Sequence, residues 1–579
     1  MKTNMVGQII PPFSTSKVNI VLDKNFIVQG EPVLGRYLKV NFKRKDKNCV
    51  ALLRLIELTT ENSSILNSEM ALNANILEGV KEKIQKNDVP VATCEVLTAF
   101  EKNEEENRYY RVNLDTIIHS LEDVEFIEDS LIQKIISHIE EEVFYLGTAI
   151  NENFDIPVVF KPFSILNEAY HMLIVGQTGS GKSTEAKKIL AAYAKNDYIY
   201  SKKNKDYKRM NCLILDPMGE FSKSFKGQES GHFKLNLNEV WEALDKDEED
   251  IKIYGIDNIV FDGNDWNMFR ELIISKKILE LIGIKYEPAQ NITITVIINH
   301  LKKTNQNLHN LYTLTDEELV ELIKNNIEHI YTVKDKRREV LSFLNSEEDV
   351  HNFLIQWHKI IEYFTVSNNK YDISFIISQL IDNTNKTVVV DLSTLGWENP
   401  LKYMIIYSIL EKLIKKGEET YKNSEDILNT LVVLDEAHRL VPAKLNNQNE
   451  EYRIKTKEKI VTAFRETRKL GIGWMVISTR ISNIDTEIWE HSRVKLFGFG
   501  LSTGRDADLI KELFGKETLE LYKQKIGDPY DLMSERKHKF MLDGPVNIIS
   551  RRIPEFYEAY NSIEDFKNKN NLDAFFIDF

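Results

Sequence analysis

The chain has 579 residues, 42% of them hydrophobic and 28% charged, with a formal net charge of −14. That length exceeds what one hydrophobic core organises, and the acidic balance excludes a protein that coats nucleic acid by bulk electrostatics. Three scattered cysteines, Cys49, Cys94 and Cys212, exclude a disulfide frame or a zinc cluster. The longest apolar runs, such as residues 292–298, fall short of the ~20 residues of a membrane span. The N-terminus lacks the charged start and apolar core of a secretion signal. A cytoplasmic protein without membrane contact is expected.

In chain order, short apolar runs at 18–22, 33–40, 51–58, 91–98 and 109–114 alternate with turn signals, which predicts a small β-barrel or sandwich over residues 1–115. Residues 116–154 read as a helical linker, since apolar residues recur at three-to-four spacing over 130–145. From residue 155 the pattern changes. Solid apolar runs at 172–175, 212–215, 259–261, 388–390, 431–434, 474–477 and 494–499 alternate with helical stretches. Strands this apolar are buried on both faces, so the alternation predicts an α/β fold with a mainly parallel, doubly wound sheet, formed by 155–265 and 385–550. The Lys-, Asn-, Glu- and Leu-rich segment 266–384 reads as a helical insertion. Runs at 539–542 and 546–549 suggest a closing hairpin, and 551–579 form a C-terminal tail that periodicity does not place.

The most specific motif is Gly176-Gln177-Thr178-Gly179-Ser180-Gly181-Lys182-Ser183, which follows an apolar strand and precedes a helix-forming run beginning at Thr184. It matches the phosphate-binding P-loop, and the strand–loop–helix context is what such a motif requires. The loop's amides and the helix N-terminus cradle phosphate oxygens. Lys182 is expected to reach the β- and γ-phosphates, and the Ser183 hydroxyl to ligate Mg²⁺. A second run, residues 431–434, ends in Asp435 and Glu436. Asp435 stands where a carboxylate holds Mg²⁺, and Glu436 where a general base polarises the attacking water. The competing reading, an acidic cap of the next helix, loses weight beside the P-loop. Two more strand ends, at Asp216 and Asp391, either face the nucleotide or turn the chain.

Phosphoryl transfer also draws on an arginine opposite the γ-phosphate. Arg465, Arg468, Arg480, Arg493 and Arg505 are candidates, and Arg480 leads because it directly follows the run 474–478. The polar segment 444–459, with Lys444, Arg453, Lys455, Lys457 and Lys459, reads either as a loop that touches nucleic-acid phosphates or as a solvated helix face. The denser cluster of Lys202, Lys203, Lys205, Lys208 and Arg209 reads as surface.

Taken in order, Tyr170-His171 leading into the P-loop, Asp216-Pro217 with Gly219-Glu220-Phe221, and Val390-Asp391-Leu392-Ser393 form one pattern. It continues through Asp435-Glu436-Ala437-His438-Arg439, Arg465-Glu466 with Arg468-Lys469 and Gly471, and Ser478-Thr479-Arg480-Ile481-Ser482. This pattern resembles the HerA-like ATPases, relatives of FtsK-type DNA pumps, over about residues 145–550. The resemblance implies a RecA-like P-loop ATPase core, an N-terminal small β-barrel, and ATP and Mg²⁺ as cofactors. It further implies a homo-hexameric ring that pumps duplex DNA through its pore. A partner effector on the barrels, a nuclease or a sirtuin-like NAD-consuming enzyme in anti-phage defence, also follows from the family. The alternative is a nucleotide-gated scaffold that assembles and regulates an effector with little translocation. Thr479 and Tyr170 depart from the family pattern, which commonly has glutamine and a basic residue at these places.

Overall fold

The computed structural model describes residues 5–23, 34–62, 88–114, 118–136, 143–150, 156–160, 171–195, 199–201, 206–208, 210–228, 235–244, 251–304, 306–382, 387–424, 427–445, 451–531, 537–546, 550, 553–560 and 562–570. These form two compact units. The first comprises Met1–Lys195, Glu229–Asp245 and Met475–Phe579, and the second Asn196–Gln228 and Lys246–Trp474. Among the described residues, no helix is long and apolar enough to cross a membrane.

The first unit opens with seven strands: β1 (Met5–Ile10), β2 (Lys17–Leu22), β3 (Tyr37–Arg44), β4 (Lys47–Asn62), β5 (Asp88–Asn103), β6 (Arg108–Val112) and β7 (Asp123–Phe126). Their order is β2-β1-β7-β3-β4-β5-β6, and the extra β2–β5 pairing, with Lys17 opposite Glu95, closes six of them into a barrel with β6 appended to β5. Closure needs curvature, and β4 supplies it through register shifts at Leu52/Leu53 and Leu55/Glu57. Side chains alternate along each strand, so Val6, Val18, Ile20, Leu38, Val40, Leu53, Leu55, Cys94 and Val124 fill the interior. All three cysteines are free and buried.

Here the expected helical linker over 116–154 is corrected. Its described residues hold β7, the helix Asp129–Ile136 and β8 (Phe144–Ala149). β7 pairs with both β1 and β3. Its Asp-Val-Glu-Phe alternation is the strand period, and pairing across the barrel outweighs the helical spacing of its neighbours.

The rest of the first unit is a mixed sheet. It uses β8, β9 (Pro157–Phe160) and β10 (Met172–Val175) from before the insertion, and four later strands introduced below. In the second unit, a hairpin of β11 (Ile199–Ser201) and β12 (Asp206–Lys208) precedes β13 (Asn211–Asp216), β14 (Ile251–Gly255), β15 (Ile259–Val260), β16 (Tyr371–Asp372), β17 (Thr387–Asp391) and β18 (Thr430–Leu434). β14, β17, β13 and β18 run parallel in that order. β13 and β18 are buried at every position, as two-sided coverage of a parallel sheet demands. The run at 259–261 was expected in this sheet, but β15 pairs only with β16, in a separate two-stranded ribbon. The sheet position belongs to β14, an edge strand whose half-exposed Ile-Lys-Ile-Tyr pattern lacks the solid apolar signal.

Between β14 and β17 lie helices including Trp266–Ser275, Glu287–Lys303, Asp316–Asn325, Lys334–Leu344, Glu347–Glu362 and Ile373–Asp382. Their starts are chemically marked. Thr315 and Glu318 form a reciprocal capping box, and the side chains of Asp265 and Ser346 cap their helices. Phe269 packs edge-on against Trp357 and Phe364, with ring centroids 5.9 and 5.8 Å away, to centre this helical core.

The last four strands are β19 (Ile472–Ser478), β20 (Val494–Phe497), β21 (Lys539–Asp543) and β22 (Glu555–Ala559). In the first unit the order is β19-β10-β20-β21-β22-β8-β9, with β10 parallel to β19 and β20 and antiparallel pairing beyond β20. The predicted hairpin therefore exists with a different second strand. β21 pairs with Glu555–Ala559, while Val546 lies in a turn and residues 547–549 lie outside the described residues.

A buried ion cluster ties the barrel to β22. Arg54 is 1% exposed, donates from Nε to Glu95 Oε1 at 2.6 Å and from Nη1 to the Pro554 carbonyl, and lies over the Phe556 ring. Beside it, burial pushes the Glu555 carboxyl up to about 8, against the pull of Arg54. An acid whose folded pKa is raised adds stability that is complete below its ordinary value near 4.5 and is lost as pH rises toward 8. Glu555→Gln is therefore expected to unfold at a higher temperature than wild type at about pH 8.5, with the gap closing at about pH 5. Thermal unfolding at both pH values checks this, and a gap independent of pH rejects it.

Candidate nucleotide site

The phosphate loop grows out of β10, whose four residues are all buried. In the flanking parallel registers, Val175 stands opposite Ser478 on β19 and Phe497 on β20. Backbone bonds fasten the loop to both neighbours, with Gly176 N donating to Ser478 O at 3.3 Å and Gln177 N to Phe499 O at 2.8 Å. Gly179 and Gly181 take φ values of +85° and +87°, a region that side-chain-bearing residues avoid. They are also hemmed in. A Cβ on Gly179 would stand 2.4 Å from the Tyr530 ring, and one on Gly181 2.6 Å from the His538 ring. Conformation thus requires glycine at both positions, and the half-buried His538 ring leaves little room for a side chain at Gly181.

Lys182 begins the helix Lys182–Lys195 and donates from Nζ to Gln177 O at 3.0 Å, so its ammonium is held across the loop. Ser180 Oγ is buried with no hydrogen-bond partner, packed between Gly176 and Gly498, an orphaned polar atom within a loop of the kind whose amides bind anions. Ser183 and Thr184 follow in the first helical turn. His538 is half-buried, and burial, then the nearby Lys188 charge, hold its imidazole below the ordinary histidine range. Tyr530 and His538 lie some 350 positions beyond the motif, and nothing in the residue pattern links them to it.

In the second unit, parallel pairing brings two strand ends side by side, with Leu215 on β13 opposite Leu434 on β18. Asp216 and Asp435 each follow directly. Asp216 Oδ1 accepts from the amides of Gly219 (2.8 Å) and Glu220 (3.0 Å), and Oδ2 from that of Ser222 (2.8 Å). Both oxygens are spent on turning the chain into the helix Glu220–Phe225. Asp391, at the end of β17, is used in the same way. Its Oδ1 accepts from the Ser393 amide (3.0 Å) and hydroxyl (2.6 Å), and its Oδ2 from the Ser222 hydroxyl (2.9 Å). Burial works to raise its pKa, but these donors outweigh it and hold the carboxyl below its ordinary value.

Asp435 differs. It is 3% exposed, and burial first, then the charges of Glu220, Glu436 and Asp216, push its carboxyl up to about 8. A carboxylate is a hard oxygen ligand that suits a divalent cation, and among the described residues no three His, Cys, Asp or Glu side chains converge on one such ion. Glu436 sits at φ 48°, ψ 39°, the left-handed region, between β18 and the short helix Ala437–Leu440. Its Oε2 lies 3.4 Å from His438 Nδ1. Glu220, part of the family pattern but given no role from the sequence, is the carboxylate whose charge acts most strongly on Asp435. Lys402 was also passed over. It is 1% exposed, donates to Pro217 O at 3.2 Å and lies 4.3 Å from the Trp397 ring centroid.

Arg480 ends β19 in the first unit, half exposed, with Nη1 3.8 Å from Asp506 of the same chain. Arg493 and Arg505 are exposed, Arg465 closes the helix Glu451–Glu466, and Arg468 lies in the turn after it. The segment 444–459 is largely that helix rather than a loop. Three of its cations are engaged within the chain. Lys455 bonds Glu451 (2.7 Å) and Glu271 (3.4 Å), Lys459 lies 4.0 Å from Glu411 and over Tyr407, and Arg453 lies over Tyr403. Lysines four residues from acids on a helix, above aromatic rings, are stabilised in place. Tyr170, Lys202, Lys203, Lys205 and Arg209 lie outside the described residues.

Residues 144–413 match the family described as "Helicase HerA, central domain". No curated protein sequence matches the chain. Among solved structures, the genome packaging NTPase B204 of Sulfolobus turreted icosahedral virus 2, in complex with AMPPCP, aligns over 68% of this chain and 98% of its own, at 10% identity and a TM-score of 0.27. The pCW3 conjugation coupling protein TcpA, with ATPgS, aligns over 93% and 92%, at 11% identity and a TM-score of 0.27. ATPases 2 and 3 of EssC from Geobacillus thermodenitrificans align over 76% and 50%, at 11% identity and a TM-score of 0.26. Superpositions this loose leave the family match and the residues themselves to carry the reading.

Proposed function

We propose, from the premise that this chain carries a HerA-type P-loop ATPase domain over residues 144–413, that it hydrolyses Mg-ATP and couples turnover to movement along duplex DNA. In this reading Gly176 to Thr184 hold the triphosphate, Lys182 binds its terminal phosphates, and Glu436 orients and deprotonates the attacking water. Ser183 and Asp435 hold Mg²⁺, which when bound offsets the phosphate charge. Arg480, at the end of β19, is assigned to the γ-phosphate. The observation that carries the reading is the phosphate loop, with two left-handed glycines wedged against Tyr530 and His538 around a buried, unpartnered Ser180 hydroxyl.

The finer functional assignment is a homo-hexameric cytoplasmic ring that threads duplex DNA. Its barrels receive an effector, a nuclease or a sirtuin-like enzyme, in anti-phage defence. One observation favours the second reading, a nucleotide-gated scaffold: Arg453, Lys455 and Lys459, candidates for DNA contact, are engaged with acids and rings of their own chain. Steady-state ATPase activity of the purified chain with and without duplex DNA separates the two. A motor gains severalfold in turnover with DNA, whereas a gate does not respond.

A further inference from the structure

Behind the phosphate loop, in the first unit, lies a polar cluster that the proposed chemistry does not use. Glu185 and Lys188, on the helix Lys182–Lys195, are each 1% exposed, and Tyr557 on β22 is fully buried. Lys188 Nζ donates to Glu185 Oε2 at 3.0 Å and to the Tyr560 carbonyl at 3.0 Å, and lies 5.8 Å from the Phe566 ring centroid. Tyr557 donates its hydroxyl to Glu185 Oε1 at 2.7 Å. The two carboxylate oxygens thus answer to different masters, one to its own helix and one to a strand 372 positions away.

A buried charged pair is an expensive way to fill a core, since apolar side chains of similar volume are commonly as stable or more so. What a carboxylate adds here is negative charge two residues beyond Ser183, in the first turn of a helix whose N-terminus faces the phosphate cradle. Unpaired, it would repel a bound triphosphate from roughly one helical turn away. Paired, it is silent, and its oxygens are free to fasten the helix sideways. We infer that Glu185, Lys188 and Tyr557 form a buried positioning triad, which offsets the carboxylate charge in the first turn of the phosphate-binding helix and makes ATP affinity depend on β22 being seated beside it. The triad acts through the loop and touches no reacting atom. Because Arg54 of the barrel grips Pro554 and Phe556 on the same strand, the seat of β22 is shared between the barrel and the nucleotide loop.

This rests on the reading of the loop as a nucleotide site, and the test keeps the two apart. Mg-ATP affinity is measured on the full chain by titration calorimetry for wild type, K182A, K188M, E185Q and the double variant E185Q/K188M, with folding checked by thermal unfolding. Wild type binding with loss in K182A establishes the site, and absence of binding in wild type overturns site and triad together. K188M, which leaves a bare carboxylate, is expected to bind ATP on the order of tenfold more weakly. The double variant, neutral again, is expected to return to within about threefold of wild type. ADP affinity shifts less than ATP affinity in K188M, because less ligand charge is opposed. A folded K188M with wild-type affinity overturns the triad, as does a double variant no tighter than K188M. Should K188M not fold, Y557F carries the test. Loss of one donor to Glu185 is expected to raise KM for ATP about two- to fivefold with kcat unchanged, and an unchanged KM overturns the triad.

Discussion

Lys182→Ala is expected to weaken ATP binding by about 10²- to 10⁴-fold and to remove ATPase activity with it. A charge-assisted hydrogen bond contributes about 1.5–3 kcal/mol, and an ammonium reaching two phosphates makes two of them. Their sum, about 3–6 kcal/mol, corresponds to that range of affinity. The structure adds a reason why no neighbour substitutes. Lys182 Nζ is fixed across the loop by Gln177 O at 3.0 Å, while Lys188, on the same helix, is committed to Glu185 and Tyr560. Lys182→Arg tests geometry rather than charge, because the planar guanidinium is wider than the ammonium it replaces and the loop is closed around its glycines. It is expected to recover little affinity. Calorimetric titration with Mg-ATP reads both variants, and a K182A chain that binds within threefold of wild type removes Lys182 from the phosphates.

How much of this was legible beforehand follows from the range of each interaction. The loop and the β18 acids announce themselves because their chemistry is local. Strand, glycines, lysine and helix occupy consecutive positions, and so do Leu434, Asp435 and Glu436. β13 and β17 were legible for a related reason, since burial on both faces writes an unbroken apolar run. β14 and β7 were not, because an edge strand and a four-residue barrel strand owe their state to partners far along the chain. The assignments of Asp216 and Asp391 turned on hydrogen bonds that no pattern encodes. The same aspartate at a strand end can face a ligand or accept three amides, and here Asp216 accepts three amides.

The segment 444–459 is the more instructive case. Its lysines were expected either in a loop facing phosphates or on a solvated face. They lie on a helix and at its flank, and three of its cations are drawn onto Tyr403, Tyr407, Tyr452 and the acids beside them. Charge in a sequence reports what a residue carries, and only packing reports what it is already spent on. The same distinction applies to Glu185 and Lys188, charged residues in a helix-forming run that are 1% exposed.

Glu436→Gln is expected to leave ATP affinity near wild type while lowering kcat by about 10²- to 10⁴-fold, the usual worth of a positioned general base. The amide keeps the size and hydrogen-bonding reach of the carboxylate and loses only the capacity to take a proton. Glu436 carries a second signature that this substitution preserves. Its φ of 48° places a residue with a long side chain where glycine is at ease, at a cost of about 1–2 kcal/mol. Strain of this kind persists at a strand end only when something else is gained, and here the left-handed residue turns the chain from β18, with Asp435 buried at its end, into the helix Ala437–Leu440. Glu436→Gly separates the two effects. It is expected to raise the unfolding temperature by relieving the left-handed strain and still to lose turnover as fully as E436Q. Single-turnover hydrolysis, nucleotide titration and thermal unfolding on the same three chains distinguish the outcomes. If E436Q hydrolyses ATP at a near-normal rate, another group is the base, and Glu220, the carboxylate acting most strongly on Asp435, is the next to be substituted.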